Sequence, residues 1–168
     1  ATNIPPHNLT EICEAVKLLI DNPDTDALDL MEVVKGPDFP TGGIILGRAG
    51  IAQAYKYGRG KIRLRGKTHF EELGRDRKAI IITEIPYMVN KSRLLEYIAE
   101  GVKEGRIEGV ADLRDESDRE GMRVVVTLRG DANPEVTLNQ LHVHTQLEET
   151  FGINNLVLVD GAPRQLSL

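Results

Sequence analysis

The sequence predicts an α+β fold: a two-layer domain whose antiparallel sheet is covered by helices, with an N-terminal helical hairpin. Three observations predict it. Apolar residues recur at helical spacing after Asn8 and again after Asn90, and Asn133-Pro134 opens a third helical stretch. Short apolar runs lie between, above all Ala79-Ile80-Ile81-Ile82-Thr83-Glu84-Ile85, with the length and β-branched content of a strand buried on both faces. The order strand, strand, helix, strand, strand, helix, strand favours antiparallel pairing with the helices on one side.

After Ile4-Pro5-Pro6, Asn8 and Glu11 form a capping-box pattern, and Leu9, Ile12, Val16, Leu19 and Ile20 follow at helical spacing. Asn22-Pro23-Asp24 stops this helix. Leu28, Met31 and Val34 make a shorter stripe ended by Gly36-Pro37, expected to pack back as a hairpin. Gly42 to Leu46 is a short strand candidate, and Ala49 to Tyr57 a helix leading into the strand GRGKIRLRGK. Gly74-Arg75-Asp76 supplies a turn before the Ala79 strand. Asn90 caps a helix reaching Gly105, with Leu95, Ile98 and Val102 inward. Ile107 to Leu113 and Gly121 to Leu128 make a second hairpin, and Leu156 to Val159 is the last strand. Residues 1–35 are thus linker and helical hairpin, and 36–168 the α+β body, forming one globular unit overall.

At 168 residues and 40% hydrophobic content, such a chain buries roughly 70% of its unfolded surface without staples. Cys13 is its one cysteine, which excludes an internal disulfide, suits a reducing cytoplasmic setting and reads as a small core residue. No apolar run approaches the ~20 residues of a membrane span, so no membrane is expected. The start ATNIPPHNL, with neither Met nor signal region, reads as a cut into a longer chain.

Charge is segregated. The chain carries 21 Lys+Arg against 26 Asp+Glu, yet no carboxylate occurs between Asp38 and Glu71. That window holds Arg48, Lys56, Arg59, Lys61, Arg63, Arg65 and Lys67, so 14 basic residues face 26 acidic ones elsewhere. From Arg59 to Lys67 the cations alternate with Ile62, Leu64 and glycines, so on a strand they share one face. That face suits a polyanion. It also suits a solvated or blunted edge, or pairing with Glu71, Glu72 or Asp76 across a hairpin.

Enzyme chemistry finds little support. His7, His69, His142 and His144 match no helical metalloprotease or zinc spacing. The stretch DLRDESDRE, Asp112 to Glu120, clusters carboxylates for a hard cation but lacks the EF-hand spacing. Tyr55, Tyr57, Tyr87 and Tyr97 have no neighbouring set of activating groups. No catalytic or metal residue is assigned.

The stretches ATNIPPHNLTEI, GPDFPTGGII, GRGKIRLRGK, EIPYMVNKSRL, LRDESDREGMRVV and FGINNLVLVDGAPRQLSL, in order and along the full length, resemble the A subunits of bacterial type IIA DNA topoisomerases, gyrase first and topoisomerase IV second. The resemblance implies the tower domain, residues 36–168 here, flanking the bent arms of a cleaved duplex. It implies a parent that breaks and religates DNA through a tyrosyl phosphate and supercoils it with ATP. Mg²⁺ and ATP would act through the B subunit, this segment binding no cofactor. Besides duplex DNA, the partners would be the gyrase B subunit together with a second copy of the parent chain. The family's nucleophilic tyrosine follows an arginine, and none of the four here does. The segment is therefore expected to be inactive alone, with Arg48, Lys56, Arg59, Lys61, Arg63, Arg65 and Lys67 facing DNA backbone.

Overall fold

A computed structural model describes residues 1–168. The order is α1 (Leu9–Asp21), α2 (Ala27–Leu30), β1 (Ile44–Leu46), α3 (Ala49–Tyr57), β2 (Arg59–Arg65), β3 (Lys67–Glu72), β4 (Lys78–Glu84), α4 (Lys91–Lys103), β5 (Val110–Asp115), β6 (Val124–Leu128), α5 (Pro134–His144), β7 (Glu148–Asn154), β8 (Leu156–Val159) and β9 (Ala162–Gln165). The strands form three sheets, ordered β1-β2-β7, β3-β4-β6-β5 and β8-β9. The chain packs as two compact units. One comprises Ala1–Pro40, Ile45–Arg63 and Thr150–Leu168, the other Thr41–Ile44 and Leu64–Glu149.

The second unit has the expected α+β design. β3, β4, β6 and β5 pair antiparallel throughout, with Ile80 opposite Val126 and Ile82 opposite Val124. Strand side chains alternate between faces, so Ile80, Ile82, Val124, Val126 and Leu128 meet Leu94 and Ile98 of α4 and Leu141 of α5 in one core. Ala79, Ile81 and Val125 make a smaller cluster on the opposite face. This explains why the Ala79 run is apolar on both faces. Asn90 and Asn133 cap α4 and α5 through their side-chain oxygens, and Pro134 sits at the start of α5 as expected.

In the first unit Asn8 caps α1, its Oδ1 accepting from Glu11 N. The second helix of the expected hairpin is short. α2 is a single turn, and it packs on α3. Helical spacing locates α1 correctly, but its stripe points outward: only Ala15 is buried, while Leu9 and Ile20 are 77% and 73% exposed. Cys13, expected in the core, is exposed. The core of this unit instead gathers Leu30, Met31, Val34, Ile51, Ala54, Tyr55, Ile62 and Ile153.

The basic stretch is also divided differently. β2 stops at Arg65, and Lys67 begins β3, which joins another sheet. Gly66 is the joint: a Cβ there would stand 2.5 Å from Leu147 Cδ1 and 2.7 Å from the Glu84 carbonyl oxygen. The Gly74 turn therefore links β3 to β4. Strands β7 and β9 carry no clear sequence signal, because ETFGIN and APRQ lack a continuous β-branched run.

Candidate nucleic-acid interface

The alternation in β2 is real. Gly60, Ile62 and Leu64 are buried while Arg59, Lys61 and Arg63 are exposed, so three cations project from one strand face. The apolar partners explain this orientation, since Ile62 and Leu64 keep only 2% and 3% of their surface. Arg65 continues the alternation but is half-buried, with Nη2 donating to Glu148 Oε1 at 3.1 Å. Its charge is thus partly neutralised within the protein. Lys67, at the start of β3, is exposed.

Glu71, a possible partner for the row across the hairpin, is engaged elsewhere. It accepts from Arg123 through both carboxylate oxygens, at 3.0 and 2.7 Å, and its Oε1 lies 2.9 Å from His69 Nε2. Arg123 and then His69 hold its carboxyl down at about 2.

Two further cations come from the helix side. Arg48 occupies the N-cap of α3 without making a side-chain cap bond and is exposed. Lys56, near the other end, lies over the Tyr57 ring at 5.2 Å from its centroid, a cation–π contact. Between them α3 lies directly on β2. A Cβ at Gly50 would fall 2.0 Å from the Lys61 carbonyl oxygen, and one at Gly60 would fall 2.8 Å from the Gly50 carbonyl oxygen. Only glycines permit this backbone-to-backbone approach. Beside it opens a cleft of about 730 Å³ lined by Gln53, Tyr57, Arg59, Lys61, Asn3 and Asn154. Sequence reasoning named the cations but missed these neutral neighbours, whose one signal was the Gly50 and Gly60 pair.

The acidic stretch disperses instead of converging. Asp112 binds Arg114 at 3.1 Å, Asp115 binds Lys91 at 2.8 Å, and Glu116 binds Arg123 at 3.3 Å. Lys91, with help from Ser117, holds the Asp115 carboxyl at about 2. Asp118 caps its own turn, accepting from Glu120 N. His142 is buried, its ring nitrogens unpartnered, and burial lowers its pKa with Arg65 adding to the effect. Of the tyrosines, Tyr55 is 1% exposed and its hydroxyl lies 2.6 Å from His7 Nε2. Burial raises its pKa well above the ordinary phenol value, the opposite of activation for nucleophilic attack. No helix is long and apolar enough to cross a membrane.

The whole of residues 1–168 matches the family model for the A subunit of DNA gyrase/topoisomerase IV. Over its full length the chain is 57% identical to the DNA gyrase A subunit of Clostridium acetobutylicum, 60% to that of Rickettsia typhi and 56% to that of Pseudomonas aeruginosa. It covers 20%, 19% and 18% of those proteins, so it spans about a fifth of the length of the curated relatives it matches. On this full-length match, and with a fold of the expected α+β class, the chain belongs to the DNA gyrase/topoisomerase IV A-subunit family.

Proposed function

We propose that this chain is the tower domain of a gyrase A subunit, supporting the arms of a bent duplex by holding its phosphate backbone. The observation that carries the reading is the exposed row Arg59, Lys61 and Arg63 on β2, with Arg48, Lys56 and Lys67 also exposed, in a member of this family. Backbone contacts of this kind position a duplex without reading its sequence. They also help offset the several kcal/mol that bending costs. Breakage and religation belong to the longer protein, a type IIA topoisomerase whose negative supercoiling uses ATP and Mg²⁺ through the B subunit. In that reading the partners are duplex DNA, the gyrase B subunit, which supplies ATP hydrolysis, and a second copy of the parent chain, and the cytoplasm is the setting. The buried, His7-bound state of Tyr55 supports a non-catalytic role for this segment.

Fluorescence anisotropy of the chain with a short labelled duplex, measured across a salt series, tests the reading. Each lost phosphate contact reduces the slope of log K against log salt by about 0.9. Arg59→Ala with Lys61→Ala is expected to flatten the slope by nearly two such steps and to weaken duplexes of any sequence alike. An unchanged slope and affinity would leave a structural connector with a solvated basic face.

A further inference from the structure

The cleft beside α3 and β2 is chemically unlike three others in the chain. Its lining includes two cations, Arg59 and Lys61, with Gln53, Tyr57, Asn3 and Asn154, and no carboxylate side chain at all. Three other clefts, of about 300, 220 and 400 Å³, each carry at least two: Glu72 and Asp76, Glu108 and Asp131, and Glu71, Glu72 and Glu135. In a chain with five more acidic than basic residues, a carboxylate-free cleft beside two exposed cations is selective for anions.

The walls of the cleft are fixed before any ligand arrives. On one side the Gly50 and Gly60 contact locks α3 against β2. Tyr57 is anchored at the helix end, where Gly58 turns the chain at φ +74° and the Tyr57 carbonyl accepts from Gln165 Nε2 at 2.9 Å. On the other side Asn3 and Asn154 exchange backbone hydrogen bonds at 2.9 and 3.0 Å, and Asn3 Nδ2 donates to the Gly152 carbonyl at 2.6 Å. A site whose donors are held in place loses little entropy on binding.

The donor set matches a phosphodiester. Arg59 and Lys61 supply charge to the non-bridging oxygens, while the Gln53 amide and the Tyr57 hydroxyl donate without adding charge. The volume, about 730 Å³, accommodates a phosphate with its flanking sugars and exceeds what a lone inorganic anion fills. We propose that this cleft seats a phosphodiester of duplex DNA, with Gln53 and Tyr57 as positioning residues beside Arg59 and Lys61. The inference rests on the DNA-backbone reading and deepens it: the working end of the row is its α3 end, and Arg65 lies outside it.

The test uses the same anisotropy assay on the 168-residue chain, with unfolding midpoints confirming that each variant is folded. Gln53 and Tyr57 are exposed, so their replacement leaves the core intact. Tyr57→Phe and Gln53→Ala are each expected to weaken duplex binding about 2- to 10-fold without changing the salt slope, as loss of a neutral hydrogen bond requires. Gln53→Glu is expected to weaken it further, by placing a carboxylate in the cleft. If Lys61→Ala flattens the slope while Gln53→Glu and Tyr57→Phe bind as the parent chain does, the cleft proposal falls and the DNA reading stands. If none of them changes binding, both fall. Displacement of the duplex by inorganic phosphate at matched ionic strength would make the cleft a free-anion site and overturn the proposal.

Discussion

Arg123 grips Glu71 with both terminal nitrogens, at 3.0 and 2.7 Å, reaching over β4 from the start of β6 to β3. The same guanidinium holds Glu116 through Nε, so one side chain ties together two carboxylates on the face opposite the helices. The register places His69 beside Ile81 and Arg114 beside Val125 on that face. Long charged side chains cover apolar neighbours with their stems while keeping their heads in water. Leu73 packs against the same cluster, so a sheet with one helical layer still buries Ile81 and Val125 on its second face.

The grip sets an acid limit on stability. Glu71 has its folded pKa depressed from 4.5 to about 2, so its contribution is present above 4.5 and is lost as pH falls through about 2. Urea midpoints measured between these values are expected to fall less steeply for Glu71→Gln than for the parent chain. Identical acid limbs would show that Arg123 gains nothing from this partner.

The crossing of α3 and β2 tolerates little change. At Gly50 an added Cβ meets the Lys61 backbone oxygen at 2.0 Å, and the obstacle cannot rotate away as a side chain would. Gly50→Ala is therefore expected to cost about 3 kcal/mol, the upper part of the overpacking range. Ala at Gly47, where a Cβ meets nothing but φ is +77°, is expected to cost about 1 kcal/mol from backbone strain alone. Chemical denaturation of the two variants checks both the size and the order.

What the sequence disclosed follows from where the physics is local. Asn8, Asn90 and Asn133 signal their helices because capping is decided within three residues. The alternation in β2 is likewise visible, since each residue's face depends only on its place in the strand. The orientation of α1 was not legible, because spacing fixes which residues share a stripe and says nothing about what the stripe meets. The division of GRGKIRLRGK at Gly66 was hidden for a similar reason: Leu147 and the Glu84 carbonyl, distant in sequence, occupy the space that forces it. Glu148 as the partner of Arg65 is equally non-local, 83 residues away.

Tyr55 gives a prediction about reactivity. Its hydroxyl is within hydrogen-bonding distance of His7 Nε2, and burial followed by the Glu11 charge raises its pKa from 10.0. The raised value favours the neutral phenol, so its stabilising effect is full below pH 10.0 and fades only as pH climbs toward the folded value. Phenolate absorbance near pH 10 is expected to be the same in Tyr55→Phe and the parent chain while both are folded. The variant is also expected to lose about 1 kcal/mol of stability with the hydrogen bond. A loss of absorbance amplitude in Tyr55→Phe would mean that Tyr55 ionises normally.

Arg65 is expected to separate stability from DNA binding within a single row of cations. It is bound to Glu148 at 3.1 Å, and its Nε is buried without a partner, close enough to the buried His142 ring to lower its pKa. A cation already neutralised by a carboxylate releases fewer counterions from DNA than one facing solvent, because its field reaches the duplex partly cancelled. Arg59 is exposed and has no such partner. Arg59→Ala is thus expected to reduce the salt slope by about 0.9, and Arg65→Ala by less than half of that. Stability is expected to run the other way. Losing a charge-assisted bond costs about 1.5–3 kcal/mol when buried, and the 38% exposure of the Arg65 side chain brings the expected loss to about 1–2 kcal/mol. Arg59→Ala is expected to stay within about 0.5 kcal/mol of the parent chain, as exposed substitutions do. Anisotropy and urea unfolding on the same two proteins read both quantities. If Arg65→Ala flattened the salt slope as fully as Arg59→Ala while leaving stability untouched, the Glu148 pair would open on DNA, and the row would act along its whole length.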